Sequence, residues 1–250
     1  MLLELNFASS ELKKDTCVNI ILPNNINDEK PFKTLWLLHG LHGDHTSWMR
    51  KSSIERYVKK YNLAVVMPSV DRSWYTNTAY EVNYFNYVAY ELPELMRSTF
   101  KGYSDKREDN IVAGLSMGGY GALKLALTCP RQYGSCISLS GSLDVTRKGR
   151  KCNINEWRSI FGFDIETPDV LEGSEHDLFA LAKNNADSGL PFPKLYMWCG
   201  TEDTLIDINK KYDEHITSLG VPHLFEYSEG DHSWKWWDMH IKDGLKYILD

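Results

Sequence analysis

Eight apolar runs of strand length punctuate this chain, and from the third onward they are separated by long, mostly helically patterned stretches. No other feature restricts the fold as much. LLELNFAS and CVNIILP stand together, joined only by SELKKD, and read as an opening antiparallel pair. FKTLWLLHG, LAVVMPS, NIVAGLS, YGSCISLSG, KLYMWCG and LFEYSEG follow. A strand that is apolar throughout has no face to give to water, so these belong in a mainly parallel sheet covered on both sides. Covering helices are predicted over SWMRKSSIERYVKKY, YFNYVAYELPELMRSTF, GGYGALKLALTC, TLIDINKKYDEHITSLG and KWWDMHIKDGLKYIL. Pro93, inside the second of these, lacks an N–H and should kink or divide it. The fold class is α/β.

The rhythm fails once. From Ser142 to Pro193 the chain is rich in Gly, Asn, Asp and Pro, and only INEWRSIFG and DLFALAKNN have a helical pattern. We therefore expect one domain over 1–250, with 142–193 inserted over one edge of the sheet. Such an insertion serves either as a lid or as surface elaboration.

Composition narrows the function. A formal net charge of −6 argues against a nucleic-acid surface. No apolar run is long enough to cross a bilayer, and Glu4 interrupts the short apolar start MLLELNFASSELKKD, which reads as a strand and not a signal peptide. Five cysteines, odd in number and without a CxxC pair, suggest reduced thiols and a cytoplasmic location. Eight Trp and fourteen Tyr supply surface for a core and for apolar ligands. A homo-oligomer is left open.

The stretch NIVAGLSMGGYGALKLAL, Asn110 to Leu127, sets Ser116 among glycines. Gly114-Leu115-Ser116-Met117-Gly118 matches G-x-S-x-G with a strand before it and a helix after it. A strand turning sharply into a helix crowds its neighbours, and glycine removes the Cβ atoms that would clash. Such a turn presents the serine hydroxyl at the carboxyl edge of the sheet, so Ser116 is the expected nucleophile. The hydroxyl needs a base to take its proton, and the base needs an orienting acid. Asp203 lies just past the strand KLYMWCG, and His232 just past LFEYSEG, in the order acid then histidine. Glu202 is the nearest rival to Asp203, with Asp207 next. Adjacent residues in an extended loop point opposite ways, so only one of Glu202 and Asp203 can face His232. The shorter Asp203 is the choice, and Asp231 reads as a turn residue.

Charge developing on an ester carbonyl oxygen needs donors placed in advance. The backbone N–H of Met117 is one, and that of Leu41, after His39-Gly40 in HGLHGDHTSW, is the other. His39, His42 and His45 stand three apart, but Gly40 and Gly43 make a helical zinc site implausible there. No metal or cofactor is expected, and His39 reads as structural.

The pieces LLHGLHGDHTSW, VVMPSVDRSWYTN, YELPELM, AGLSMGGYGALKLAL, WCGTEDTLI and GDHSWKWW together resemble the α/β-hydrolase superfamily, and within it the esterase D branch. That branch holds S-formylglutathione hydrolases, bacterial tributyrin esterases, and feruloyl and acetylxylan esterases. The resemblance implies an α/β-hydrolase fold and a serine carboxylesterase of short-chain acyl esters, with Ser116, Asp203 and His232 in the roles argued above. The alternatives are an S-formylglutathione hydrolase, a feruloyl or acetylxylan esterase acting on imported oligosaccharides, or an inactive fold used as a binding module. Trp48, Trp74, Tyr75 and Trp234 lie on loops beside the catalytic turns and are candidates for the wall of a substrate pocket.

Overall fold

The structure is a computed structural model that describes residues 1–24, 31–146, 153–162 and 165–250; Cys152 lies outside them. Its strands are β1 (Leu2–Ser9), β2 (Lys14–Ile21), β3 (Lys33–Leu38), β4 (Leu63–Pro68), β5 (Asn110–Leu115), β6 (Ser135–Leu139), β7 (Lys194–Gly200) and β8 (His223–Ser228). They form one eight-stranded sheet in the order β1-β2-β4-β3-β5-β6-β7-β8. β1 and β2 pair antiparallel, as do β2 and β4, and every other neighbouring pair is parallel. A mainly parallel sheet is what the alternation predicts, and the strand order fits the α/β-hydrolase fold that the resemblance implies.

Helices cover the sheet: α1 (Ser47–Lys51), α2 (Ile54–Val58), α3 (Tyr84–Asn86), α4 (Leu92–Thr99), α5 (Met117–Thr128), α6 (Ile154–Phe161), α7 (Leu178–Asp187), α8 (Ile206–Ser218) and α9 (Trp234–Leu249). Alternation along the strands divides the core in two. Trp36, Val66, Val112, Cys136 and Met197 point to one face, under α5 and α8. Leu35, Leu37, Val65, Ala113, Ile137, Tyr196 and Trp198 point to the other, under α1, α2 and α9. Each Leu, Val, Ile or Met among them contributes about 1.5–3 kcal/mol by leaving water, which is why continuous apolar strands demand two covered faces.

One helix departs from the sequence expectation, and a second is divided as expected. SWMRKSSIERYVKKY is not one helix. It breaks between α1 and α2, where the Ser52 hydroxyl bonds the Trp48 carbonyl (2.6 Å) and the Ser53 N–H is taken by Asp238 (2.7 Å). The stretch around Pro93 stays helical but passes through a π-helical turn over Tyr87–Glu91 between α3 and α4. Pro93 has no N–H to offer the Ala89 carbonyl one turn back, and Gln132 Nε2 donates to it instead (2.9 Å).

Between β6 and β7 the described residues hold α6, α7 and a short 3₁₀ turn at Pro168–Leu171. Trp157 on α6 packs edge-on against Trp74, which stands on the body of the fold (ring centroids 5.2 Å apart).

Candidate active site

Four loops, following β3, β5, β7 and β8, meet at the carboxyl edge of the sheet. The turn between β5 and α5 is the tightest. Ser116 takes φ 54° and ψ −118°, a conformation that a non-glycine residue holds only under constraint. Its N–H donates to the Leu139 carbonyl (2.9 Å), and its own carbonyl accepts the Ser142 N–H (3.1 Å). The glycines are required by contact. A Cβ on Gly114 would stand 2.2 Å from the Gly118 carbonyl oxygen, and one on Gly118 would stand 2.6 Å from that of Leu38. Strand, helix and the end of β3 touch backbone to backbone.

The structure brings Ser116, Asp203 and His232 together. Ser116 Oγ lies 3.0 Å from His232 Nε2, and His232 Nδ1 lies 2.8 Å from Asp203 Oδ2. Asp203 is fully enclosed, whereas the His232 side chain is 34% exposed. Burial alone would raise the Asp203 carboxyl. The hydrogen bond and charge of His232, the Leu205 N–H and the Ser140 hydroxyl more than offset it and hold the group below the ordinary carboxylate range. A charged Asp203 keeps the proton on Nδ1 and turns the Nε2 lone pair toward the serine. That is the geometry in which an imidazole can accept a hydroxyl proton as the oxygen attacks a carbonyl carbon.

Glu202, the rival acid, faces the other way. Its carboxylate accepts the Gly230 N–H (2.6 Å), and its own N–H donates to the Gly230 carbonyl (2.9 Å). It clamps the acid loop to the base loop, and backbone approach there is so close that a Cβ on Gly200 would sit 2.0 Å from the Gly230 oxygen. Asp231 accepts the Ser233 hydroxyl in a turn.

Met117 opens α5, where the N–H groups of the first turn have no carbonyl behind them. The loop from β3 rides against the nucleophile turn: a Cβ on Gly40 would be 3.4 Å from that of Ser116, and Leu41 follows. His39 holds this loop from within. Its Nδ1 donates to the Gly40 carbonyl (2.7 Å) and its Nε2 accepts the Val70 N–H (3.0 Å). Burial pushes its pKa down, which suits this neutral form. Among the described residues no three His, Cys, Asp or Glu side chains are grouped to hold a metal ion.

Of the four aromatic candidates, Trp48 and Tyr75 are enclosed and act through the backbone they hold. Trp48 Nε1 donates to the Leu38 carbonyl (2.9 Å) and the Tyr75 hydroxyl to that of His39 (2.8 Å). Trp74, buried, packs between Tyr120 and Trp157. Trp234 is half-buried and joins a series of edge-to-face contacts, Trp48–Trp234–Trp237–His232, with ring centroids 5.1, 5.5 and 4.8 Å apart. This series backs the imidazole.

Three buried polar residues escape the sequence reading. Ser140 follows β6 as directly as Ser116 follows β5, and that position was the available signal. Lys124 and His176, buried between α5 and the segment before α7, sit in stretches that read as ordinary helix surface and loop.

The Esterase family model, described as "Putative esterase", matches residues 9–248. The chain is 32% identical to an acetyl esterase of Caldicellulosiruptor saccharolyticus, covering 99% of this chain and 97% of that one. Among solved structures it is similar to FphF, a fluorophosphonate-binding serine hydrolase of Staphylococcus aureus (34% identity, TM-score 0.92, 100% and 98% covered). It is similar also to the S. aureus S-formylglutathione hydrolase FrmB (34% identity, TM-score 0.89, 100% and 99% covered).

Proposed function

The chain belongs to the Esterase family and is a serine carboxylic ester hydrolase, and from that premise we propose that it cleaves short-chain acyl esters through an acyl-enzyme on Ser116. The observation that carries this reading is the continuous contact from Ser116 Oγ through His232 to the enclosed Asp203. His232 takes the serine proton as Oγ bonds to the carbonyl carbon. The N–H groups of Leu41 and Met117 receive the developing oxyanion, and His232 returns the proton to the departing alcohol. Water then attacks the acyl-enzyme by the same route, releasing the acid and restoring Ser116. The kinship with an acetyl esterase supports a small acyl group. The described thiols Cys17, Cys129, Cys136 and Cys199 are unpaired, which fits a reducing compartment. No helix of the described residues is long and apolar enough to cross a membrane.

A second reading, thioester hydrolysis of S-formylglutathione, is favoured by the likeness to FrmB. One panel separates the two: kcat/KM on p-nitrophenyl acetate, butyrate and octanoate, S-formylglutathione, methyl ferulate and an acetylated xylo-oligosaccharide. Acetate and butyrate leading by tenfold or more support the first reading, and S-formylglutathione leading by as much supports the second. Ser116→Ala should lose turnover by about three orders of magnitude or more while staying folded. Near-normal activity in that variant would end both.

A further inference from the structure

The Met117 N–H belongs to the first turn of α5, and the Leu41 N–H to the loop after β3. One side chain spans the space between these two carriers. His39, in that loop, stands one residue past the β3–β5 ladder, which closes with Leu38 opposite Gly114. It is buried, so its carbonyl needs a donor from outside the sheet. The Tyr75 hydroxyl supplies one (2.8 Å). The same carbonyl lies against the first turn of α5, where a Cβ on Gly118 would stand 2.7 Å from its oxygen. Further along α5, a Cβ on Gly121 would stand 2.3 Å from the Tyr75 ring. The phenol thus rests its ring on the helix and its hydroxyl on the loop that carries Leu41.

The loop after β4 grips His39 at a second point, because the Val70 N–H donates to His39 Nε2 (3.0 Å). Burial pushes the Tyr75 phenol up, so it keeps its proton and remains a donor. The backbone is a separate sign. Trp74 and Tyr75 take φ 54° and 52°, the only adjacent pair of left-handed non-glycine residues among those described. Glycine would hold such angles freely, whereas two aromatic residues hold them under strain. The Ser73 hydroxyl closes the turn by accepting the Tyr75 N–H (3.2 Å). That turn delivers the Tyr75 ring to His39 (ring centroids 6.2 Å apart). Phenylalanine would fill the same volume, and what tyrosine adds is the donor.

We propose that Tyr75 is a positioning residue of the oxyanion hole: with its ring on α5 and its hydroxyl on the His39 carbonyl, it sets the gap between the Met117 and Leu41 N–H groups. The inference rests on the reading of Ser116 as the nucleophile and of those two groups as the oxyanion donors. Without the hydroxyl the His39 carbonyl loses its partner, the loop shifts, and the Leu41 N–H no longer meets the oxygen on which charge develops.

The test is Tyr75→Phe, which keeps the ring against Gly121 and removes the donor. Its kcat on p-nitrophenyl acetate is measured per serine titrated with a fluorophosphonate, together with Ki for a short alkyl trifluoromethyl ketone. Ser116 Oγ adds to the carbonyl carbon of that ketone and leaves an oxyanion in the hole, so its affinity reports the donors. Removing an oxyanion donor outright costs about 10²–10³ in kcat, and displacing one should cost about tenfold. We expect kcat about tenfold lower, KM within about twofold, and Ki about tenfold higher. Gly121→Ala keeps the hydroxyl but pushes on the ring, and it should move kcat and Ki the same way. A merely structural role would lower the melting temperature and leave kcat per titrated serine and Ki where they are. Values of kcat and Ki in Tyr75→Phe within about twofold of wild type, beside an inert Ser116→Ala, overturn this inference alone, and so does a loss of kcat without a rise in Ki. Should Tyr75→Phe not fold, unchanged kcat and Ki in Gly121→Ala overturn it equally. An active Ser116→Ala overturns the nucleophile reading, and the inference with it.

Discussion

Replacing Lys124 with methionine should flatten the pH dependence of stability on the alkaline side. Lys124 lies on α5, wholly buried, with its amine donating to Thr76 Oγ1 (2.7 Å) and 3.1 Å from His176 Nδ1. The rings of Phe85 and Tyr120 stand 5.7 and 5.8 Å from it. Burial lowers its pKa from 10.5 to about 7, with the Glu175 charge opposing only in part. His176 is lowered to about 3 by burial and by the Lys124 charge, so it stays neutral and accepts.

The folded chain thus carries a neutral amine where the unfolded chain carries a charged one, between about pH 7 and 10.5. Unfolding takes up a proton across that window, so stability rises with pH by about 1.4 kcal/mol per pH unit. Below about pH 7 both forms are charged and the full penalty, about 5 kcal/mol, is present. Methionine has no such penalty. It leaves Thr76 and His176 without a donor, at a cost of about 1–3 kcal/mol that is the same throughout the window. Between pH 7.5 and 9.5 the stability difference between the two proteins should therefore move by about 3 kcal/mol in favour of the wild type. Urea unfolding followed by circular dichroism at those two pH values measures it, and every other titrating group cancels in the difference. A difference that stays constant within about 0.5 kcal/mol would refute the buried neutral amine.

Two further outcomes follow from the backbone contacts. Gly114→Ala puts a Cβ 2.2 Å from the Gly118 oxygen, so the nucleophile turn must open. It should cost about 2 kcal/mol or more and over tenfold in kcat, and a thermal melt with an ester assay checks both. Glu202→Ala frees the Gly230 N–H and loosens the loop bearing His232. Its kcat should fall about tenfold with KM unchanged, and a kcat within twofold of wild type would show that the loop is held without it.

The sheet was legible because its inner strands, β3 to β7, are buried on both faces, leaving an apolar signal at nearly every position. The meeting of Ser116, Asp203 and His232 was legible because each directly follows a parallel strand, and such strands end at one edge. What escaped depends on partners far along the chain. The break between α1 and α2 is held by Asp238, 185 residues from Ser53. Ser140 meets Trp237 across 97 residues, and Lys124 meets Thr76 and His176 across 48 and 52. No local period carries that information. Lys124 is the plainest case, since a lysine in GALKLALT reads as a solvated position and the fold encloses it.

The order of the sheet has a consequence for biosynthesis. From β5 onward the strands lie side by side in the order in which a ribosome releases them. The nucleophile turn is therefore complete first, then Ser140 with β6, then Asp203 with β7. His232 arrives only after β8, 116 residues behind the Ser116 hydroxyl it meets. On the mechanism proposed above, a nascent or C-terminally truncated chain carries the serine without its base, so hydrolytic competence follows the final strand and cannot precede it.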